Sequence, residues 1–413
     1  MLKINRDEYA KTYKLLHNID VKDYLYCFDN ETSSKFEDRK KQSFFINHFK
    51  TLFESLVIPL FSTSPIRETS NMLFEQFIND VDRNGTSLNK FIMNALISYK
   101  VQGSGFIIFN NYPNLDRYNE NEILNERLFP WLDFKDVSEL YDIKKDKYNE
   151  IEMIEFYNGS DVILRNGIYQ EVKMILGFTK DKIYTRTDER DSKTITSQVN
   201  EFNKIPIVIL NNSIKQSPPS NNLADINITI SNQLSEQRNL ERKCAFCFLQ
   251  IPDDNPTETD LDIGADGVLW IPTDSSKDAK FISPDSHILE VMVKNAVEFI
   301  NIFKQEADKI GAITIINKSQ SGYAYEMEFL AKDFVLKNLS LFAQEIEHKI
   351  FEMFSLITGT NGGNYEIKYN QEFKRGNKDI KEKIEIIEKA KDIGITFSED
   401  ELNNFKLDIL NTL

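Results

Sequence analysis

The chain is poor in the residues that most metal and redox sites need. Its 413 residues include only four histidines, none spaced as a metal-binding pair, and three cysteines. An odd number of cysteines argues against a disulfide framework. Cys244 and Cys247 form a C-x-x-C pair, but a zinc site needs a second ligand pair and a thioredoxin-like motif sits at a strand-to-helix turn. Because the surrounding pattern is helical, we interpret both as small apolar side chains packed in a helix.

Long apolar runs and catalytic motifs are also missing. No stretch approaches the roughly eighteen apolar residues of a membrane-spanning helix. The segment from Met1 to Leu16 is charged throughout and lacks the apolar region of a secretory signal, so we expect a cytosolic or virion-borne protein. No Walker A, G-x-S-x-G, H-E-x-x-H, G-x-G-x-x-G or EF-hand sequence is present. The sequence therefore predicts no enzyme and no cofactor.

Two kinds of local sequence resemble ligand sites. The Gly-Ser-Gly at 103–105 precedes a strand, whereas phosphate loops lead from a strand into a helix, so we expect it to end a helix. Two acidic pairs, Asp253 with Asp254 and Asp260 with Asp262, offer oxygen ligands for a divalent cation. Solvated loop acids are the simpler interpretation, and we predict no metal site.

Basic residues are outnumbered, with 50 Lys and Arg against 65 Asp and Glu, a net charge of −15. A protein that binds duplex DNA tightly usually presents a basic patch. This chain has no Lys- and Arg-rich run beyond short pieces such as Arg39-Lys40-Lys41. A channel through which DNA slides has the opposite requirement, because an acidic wall repels phosphates from every side. The net charge fits a DNA channel better than a protein that binds DNA tightly, although it also fits many ordinary acidic proteins.

Between Asn221 and Gly359 the pattern predicts a helix, a short strand, a second helix, a polar loop and a very long helix. The strand is Val268–Ile271, and Ile251-Pro252 is expected to stop the first helix. Apolar residues recur at steps of mostly three or four in the first two helices. They are Leu223, Ile226, Ile230, Leu234, Leu240, Cys244 and Cys247 in the first, and Leu289, Met292, Ala296, Phe299, Phe303, Ala307 and Ile310 in the second.

The last helix of this series is unusually long. It is predicted from Tyr323 to Ile357, which corresponds to roughly 50 Å at about 1.5 Å per residue. Globular helices average about 11–12 residues. Gly359 offers a stop, and a helical bundle core is the ordinary alternative for such a helix.

The rest of the chain predicts an α+β fold. Helices are expected in 1–60 with a break at 30–34, and in 73–102 with a split at Asn84-Gly85 and Ser87 as an N-cap. Residues 106–109 read as a buried strand, and 128–210 as β-rich with hairpin turns at Asn158-Gly159 and Asn166-Gly167. A further strand is predicted at 365–373, followed by two short helices.

The order and spacing of several segments resemble the portal proteins of tailed double-stranded DNA phages over most of the chain. No single segment is as specific as a Walker A motif, so the resemblance depends on their succession. They are Phe74-Glu75-Gln76-Phe77, residues 80–88, Gly103-Ser104-Gly105 followed by Phe106-Ile107-Ile108-Phe109, Tyr112-Pro113, Ile205-Pro206-Ile207-Val208, Ser217-Pro218, Leu223-Ala224-Asp225-Ile226-Asn227, Ile310-Gly311-Ala312 and Ser321-Gly322-Tyr323-Ala324.

The resemblance implies the portal fold, assembled as a homo-oligomeric ring that usually has twelve subunits and sits at one capsid vertex. Viral DNA would pass through the ring, without sequence specificity, during packaging and ejection. The implied parts are a helical and β-rich wing (1–218), stem helix 1 (219–252), a small α/β clip (253–284), stem helix 2 (285–311), a tunnel loop (312–323), a long wing helix (324–358), a wing strand (359–374) and a short helical crown (375–413).

The resemblance also implies site residues and partners. The DNA-facing tunnel-loop residues would be Asn317, Lys318, Ser319 and Gln320, with Lys318 either facing phosphates or simply solvated. Candidate channel-lining residues are Asp225, Glu236 and Glu241. Trp270 would anchor the clip interface or pack within its own clip. Implied partners are the major capsid protein, the terminase large subunit and a head–tail adaptor, in the virion and, during assembly, in the host cytoplasm.

Two alternatives stay open. The chain could be a non-portal structural or scaffold-like virion protein that acts as a protein-binding module. An unrecognised enzyme is supported only by the acidic loop pairs.

Overall fold

The fold, obtained as a computed structural model, mixes helices with mostly antiparallel strands, which confirms the predicted α+β class. The structure describes residues 4–29, 31–110, 122–123, 126–165, 168–188, 194–211, 213–244, 248–253, 268–272, 280–282, 287–310, 322–360 and 365–373. The predicted crown, at 375–413, lies outside these residues. Within them the α-helices are α1 Arg6–His17, α2 Ser33–Gln42, α3 His48–Val57, α4 Met72–Asn79, α5 Leu88–Gln102, α6 Asn221–Cys244, α7 His287–Lys309 and α8 Gly322–Thr358.

The described strands form four separate sheets. Their hydrogen-bonded orders are β1-β13, β3-β2-β9, β4-β5-β6-β7-β8 and β11-β10-β12. The bounds are β1 Ile66–Thr69, β2 Phe106–Asn110, β3 Trp131–Lys135, β4 Leu140–Lys145, β5 Ile151–Arg165, β6 Ile168–Thr179, β7 Lys182–Thr187, β8 Thr194–Val199, β9 Ile207–Ile209, β10 Phe248–Asp253, β11 Val268–Pro272, β12 Lys280–Ile282 and β13 Tyr365–Lys368.

Local signals set the helix ends in the N-terminal half. The Ser87 hydroxyl accepts from the backbone N–H of Lys90, so Ser87 is the N-cap of α5, as predicted. Gly103 follows α5 with a φ of 78°, a left-handed conformation that glycine adopts without steric cost. The strand β2 then begins at Phe106, so the Gly-Ser-Gly segment ends a helix, as expected.

One predicted hairpin turn is wrong. Asn158 and Gly159 lie inside the continuous strand β5, where the register with β6 shifts between Tyr157 and Ser160. Gly159 has a φ of 75°, so the glycine accommodates a bulge instead of a chain reversal. Asn166 and Gly167 lie outside the described residues, but Arg165 pairs antiparallel with Ile168 across them, which confirms the second hairpin.

A two-stranded sheet joins distant parts of the chain, and a buried ion pair supports it. The strand predicted at 365–373 is β13, shorter than expected, and it pairs antiparallel with β1. Glu347 of α8 is fully buried and is bound by Arg67 of β1 through both carboxylate oxygens. The hydroxyls of Tyr365 and Tyr369 donate to the same carboxylate. The long helix is therefore fixed to the sheet by charge-assisted hydrogen bonds.

The first helix of the predicted stem is shorter than expected. It ends at Cys244 instead of continuing to about 252, because Phe248–Asp253 forms the central strand of a small sheet with β11 and β12. Pro252 is paired with β11 but lies beyond the part of β10 that pairs with β12. Its missing N–H therefore removes no hydrogen bond to β12. The predicted strand at Val268 is confirmed as β11, so the small sheet begins before the segment assigned to the clip.

The two other long helices have nearly the predicted bounds. The helix expected over 285–310 is α7, and that expected over 323–357 is α8, which has 37 residues and is about 55 Å long. It begins at Gly322, inside the segment assigned to the tunnel loop. Gly359 follows it with a φ of 65°, the expected left-handed stop.

Candidate oligomer interface and channel-lining residues

Helix α7 lies beside α6, and the apolar stripe that its spacing predicts faces the main core. Ala296, Phe303 and Ala307 are buried, and Phe299 and Ile310 are half-buried against the main core. Because α6 and α7 lie side by side with the small sheet between them in sequence, they form a helical hairpin with β10–β12 at its tip. This hairpin carries the three candidate channel-lining acids and Trp270.

Helix α7 also exposes apolar side chains outside the buried stripe. Four of them are between 36% and 52% exposed. At about 100° per residue, Val291 and Ile302 lie roughly 20° apart on one side of the stripe, which we call flank A. Val293 and Val297 lie roughly 40° apart on the other side, which we call flank B. The buried stripe thus lies between two separate apolar surfaces.

The flanks are also separated on the solvent side. Glu290, Lys294 and Glu298 are exposed and form a polar outer face between flank A and flank B. A surface helix normally keeps one apolar stripe toward its core. Apolar exposure beyond that stripe makes each flank a candidate contact surface for another protein. One partner on one side cannot cover both flanks, so α7 has room for two different contacts.

The solvent side of α8 adds a third apolar surface. Phe334 is 67% exposed, and Leu341 and Leu356 are exposed within an arc of roughly 60° around it. Leu339, Ala343 and Ile350 lie buried on the opposite side. Sequence spacing missed this surface and both flanks, because spacing cannot say which apolar side chains a neighbouring element covers.

Two candidate channel residues of α6 face the N-terminal helices. Asp225 forms an ion pair with Lys11 of α1 and accepts from the Asn221 side-chain amide at 3.1 Å. Glu236 lies roughly 20° from Asp225 around the helix and is half-buried. Burial raises the pKa of the Glu236 carboxyl, and nearby Arg39 opposes this shift. Both acids therefore lie against positive charges of their own chain.

The third candidate acid lies on another side of α6. Glu241 is exposed, accepts from Gln237 at 2.7 Å, and lies roughly 160° from Asp225. The helix therefore cannot turn all three acids toward one lumen. The channel-lining role of each acid stays a prediction.

The remaining predicted site residues are only partly described. Trp270 lies in β11, where its backbone pairs with Ile251 of β10 in a parallel register. Its interface role stays a prediction. Asn317, Lys318, Ser319 and Gln320 lie outside the described residues.

A separate polar cavity of about 420 Å³ lies between α1, α5 and β3. Asp136 at its edge is buried, accepts a hydrogen bond from Ser98, and shares a capping box with Glu139. Burial raises the pKa of Asp136 to about 7, and Glu139 adds to the shift. Although the cavity contains several acids, no group of three or more His, Cys, Asp or Glu in the described part of the chain is placed to hold a metal ion.

Replacing Asp136 by Asn is expected to stabilise the protein at pH 8 and to have little effect near pH 4. In the folded state the Asp136 carboxyl stays protonated up to about pH 7, whereas in the unfolded chain it loses its proton near pH 4. The free energy of unfolding therefore falls as the pH rises between these values. Asn keeps the cap and the Ser98 bond without the charge, and the expected gain at pH 8 is on the order of 2–3 kcal/mol. Urea unfolding across pH 4–8 measures this. The exposed Asp133→Asn is the control, and an equal pH slope in Asp136→Asn and the parent would contradict the prediction.

No α-helix in the described ranges is long and apolar enough to cross a bilayer. Comparison with models of known protein families and with curated proteins finds no match to this chain.

Proposed function

We propose that the protein is a portal subunit of a tailed phage, which forms a closed ring at one capsid vertex for packaging and ejecting viral DNA. The observation that supports this most is the pair of flanks on α7. A two-fold dimer uses one self-complementary patch on both copies, whereas a ring needs two different patches on each subunit. Flank A of one copy covering flank B of the next buries both apolar surfaces around the ring.

Two further features support the same proposal. The α6–α7 hairpin with a small sheet at its tip corresponds to a stem that ends in a clip, where a terminase or a head–tail adaptor would dock. The net charge of −15 suits a channel wall that does not hold the DNA it conducts. Neither feature requires a catalytic site.

A protein-binding module of the virion is the second candidate. The exposed strip on α8, which begins at Phe334, would suit docking to a different protein as well as it suits a ring. The two candidates differ in self-assembly, because only the first needs both flanks of α7 covered by copies of the same chain.

Light scattering on the purified protein, followed by negative-stain imaging of the same fraction, tests the proposal. Twelve copies of the 48.1 kDa chain have a mass of about 577 kDa. We expect a particle of this order, with an axial hole wide enough for a DNA duplex. A stable dimer without a channel would contradict the proposal and favour the binding module.

A further inference from the structure

A second cavity, of about 340 Å³, lies where α3, α5 and the start of α6 meet. Phe53, Leu56 and Tyr99 supply an apolar wall, and Ile310, directly after α7, closes one side. Two lysines, Lys100 of α5 and Lys215 in the segment before α6, also line it. It draws on several distant segments of the chain and on none of the exposed flank residues of α7.

The charge of this cavity is unlike that of the whole chain. Its lining contains two lysines and no carboxylate, in a protein with a net charge of −15. Among the described residues, neither ammonium group has an ion pair or a hydrogen bond, although most other contacts of lysines in this fold are with acids. An unbalanced pair of cations in a concave site is the arrangement that attracts an anion.

Lys100 is the more confined of the two cations. It is half-buried, and burial lowers the pKa of its ammonium group. A partly desolvated charge with no partner is costly, and a bound anion would remove that cost. The anion would also lie near the N-terminus of α6, which begins directly after the lining residue Ser220.

Two of the three other polar side chains of the lining, Ser220 and Asn211, are already used, and the third is Tyr99. The Ser220 hydroxyl donates to the Val101 carbonyl at 2.8 Å, and the Asn211 amide donates to the Gly103 carbonyl at 3.0 Å. Recognition of a ligand therefore falls mainly to the two ammonium groups, with the Tyr99 hydroxyl as a further donor in the lining. Two positive charges without a neutralising acid suit a doubly charged anion better than a single carboxylate.

We propose that this cavity binds a phosphate group, with Lys100 as its principal ligand and Lys215 as the second. The phosphate could belong to a small organic phosphate or to a DNA backbone, and the same two ammonium groups would recognise either. Because every group involved belongs to one chain, the proposal does not depend on ring assembly.

Isothermal titration of the full-length protein with inorganic phosphate, at constant ionic strength and neutral pH, tests this site. We expect saturable binding by the parent chain and at least tenfold weaker binding by Lys100→Met, which keeps the aliphatic stem and loses the charge. The matched control is Lys90→Met, an exposed lysine on the same helix, which should bind like the parent. Lys215→Gln, at an exposed position, should also bind more weakly. Absence of saturable binding by the parent, or equal binding by the parent and Lys100→Met, would overturn the proposal.

Competition with a short DNA duplex distinguishes the two sources of phosphate. Displacement of inorganic phosphate by the duplex from the parent chain would assign the site to the DNA backbone. Phosphate binding that the duplex leaves unchanged would assign it to a small organic phosphate. A monomeric chain that binds phosphate would contradict the ring and support this site. A ring that does not bind phosphate would support the ring and contradict this site.

Discussion

Replacing Glu347 by Gln is expected to lower the free energy of unfolding by about 3–5 kcal/mol, the usual cost of breaking a buried ion pair from one side. The change keeps the shape of the side chain and removes its charge. Arg67, mostly buried, then keeps a positive charge without its partner. Urea unfolding monitored by circular dichroism measures the loss, at one protein concentration because assembly adds to apparent stability.

The geometry explains why Gln cannot replace the carboxylate. Arg67 donates to both oxygens of Glu347, and its Nη2 also donates to Asn89 at 2.6 Å. Tyr369 donates to one of these oxygens at 2.7 Å, and Tyr365 donates to the other. Four donors converge on two acceptors, and Gln turns one acceptor into a further donor. At least one buried donor is then left without a partner.

The control for this prediction lies two residues away on the same helix. Glu345 pairs with Lys349 at 2.6 Å, but both side chains are about half exposed. Glu345→Gln should therefore change the unfolding free energy by less than about 0.5 kcal/mol. A loss below about 1 kcal/mol in Glu347→Gln would show that the buried pair does not hold α8 against the sheet.

Placing two glutamates on flank B, Val293→Glu with Val297→Glu, is expected to abolish assembly. Both positions are exposed in the single chain, so the charges cost little there. In the proposed ring they would be buried against the next subunit without a partner, which is strongly unfavourable. The mass from light scattering should fall from about 577 kDa toward the 48.1 kDa of one chain, with an unchanged circular dichroism spectrum.

Lys294→Glu is the matched control for flank B. It also adds negative charge to α7, but on the exposed polar outer face. It should leave the mass of the particle unchanged. If the flank B variant assembles as well as this control, flank B is not a subunit contact.

The sequence predicted the long helices best, because their signals are local and repeated. Steps of three or four residues place α7 and α8 within about two residues of their bounds, and Gly359 ends α8 as expected. The predicted end of α6 was wrong because the apolar residues of the helix continue into β10. A short apolar run fits a helix and a buried strand equally well. Its strand pairing comes from β11 and β12, which no local signal at Phe248 reveals.

Contacts between distant residues could not be predicted. Arg67 and Glu347 are 280 positions apart, and β1 is four residues long with little apolar patterning. Asn158-Gly159 has the composition of a hairpin turn, but β6 pairs with the strand on both sides of it. The flanks of α7 could not be predicted for a related reason. Their apolar residues are visible in the sequence, but which side of α7 is buried depends on the fold.

Cysteine cross-linking between the two flanks tests the central claim most directly. Neighbouring copies in a ring lie at the same height, so position 291 of one subunit should meet position 293 of the next. With a short thiol-reactive cross-linker, the double variant Val291→Cys with Val293→Cys should give a ladder of dimers, trimers and larger species. Each single variant should give only the background of the parent chain, whose Cys27 is exposed. A single variant that forms dimers, or a double variant that stops at dimers, would contradict the ring.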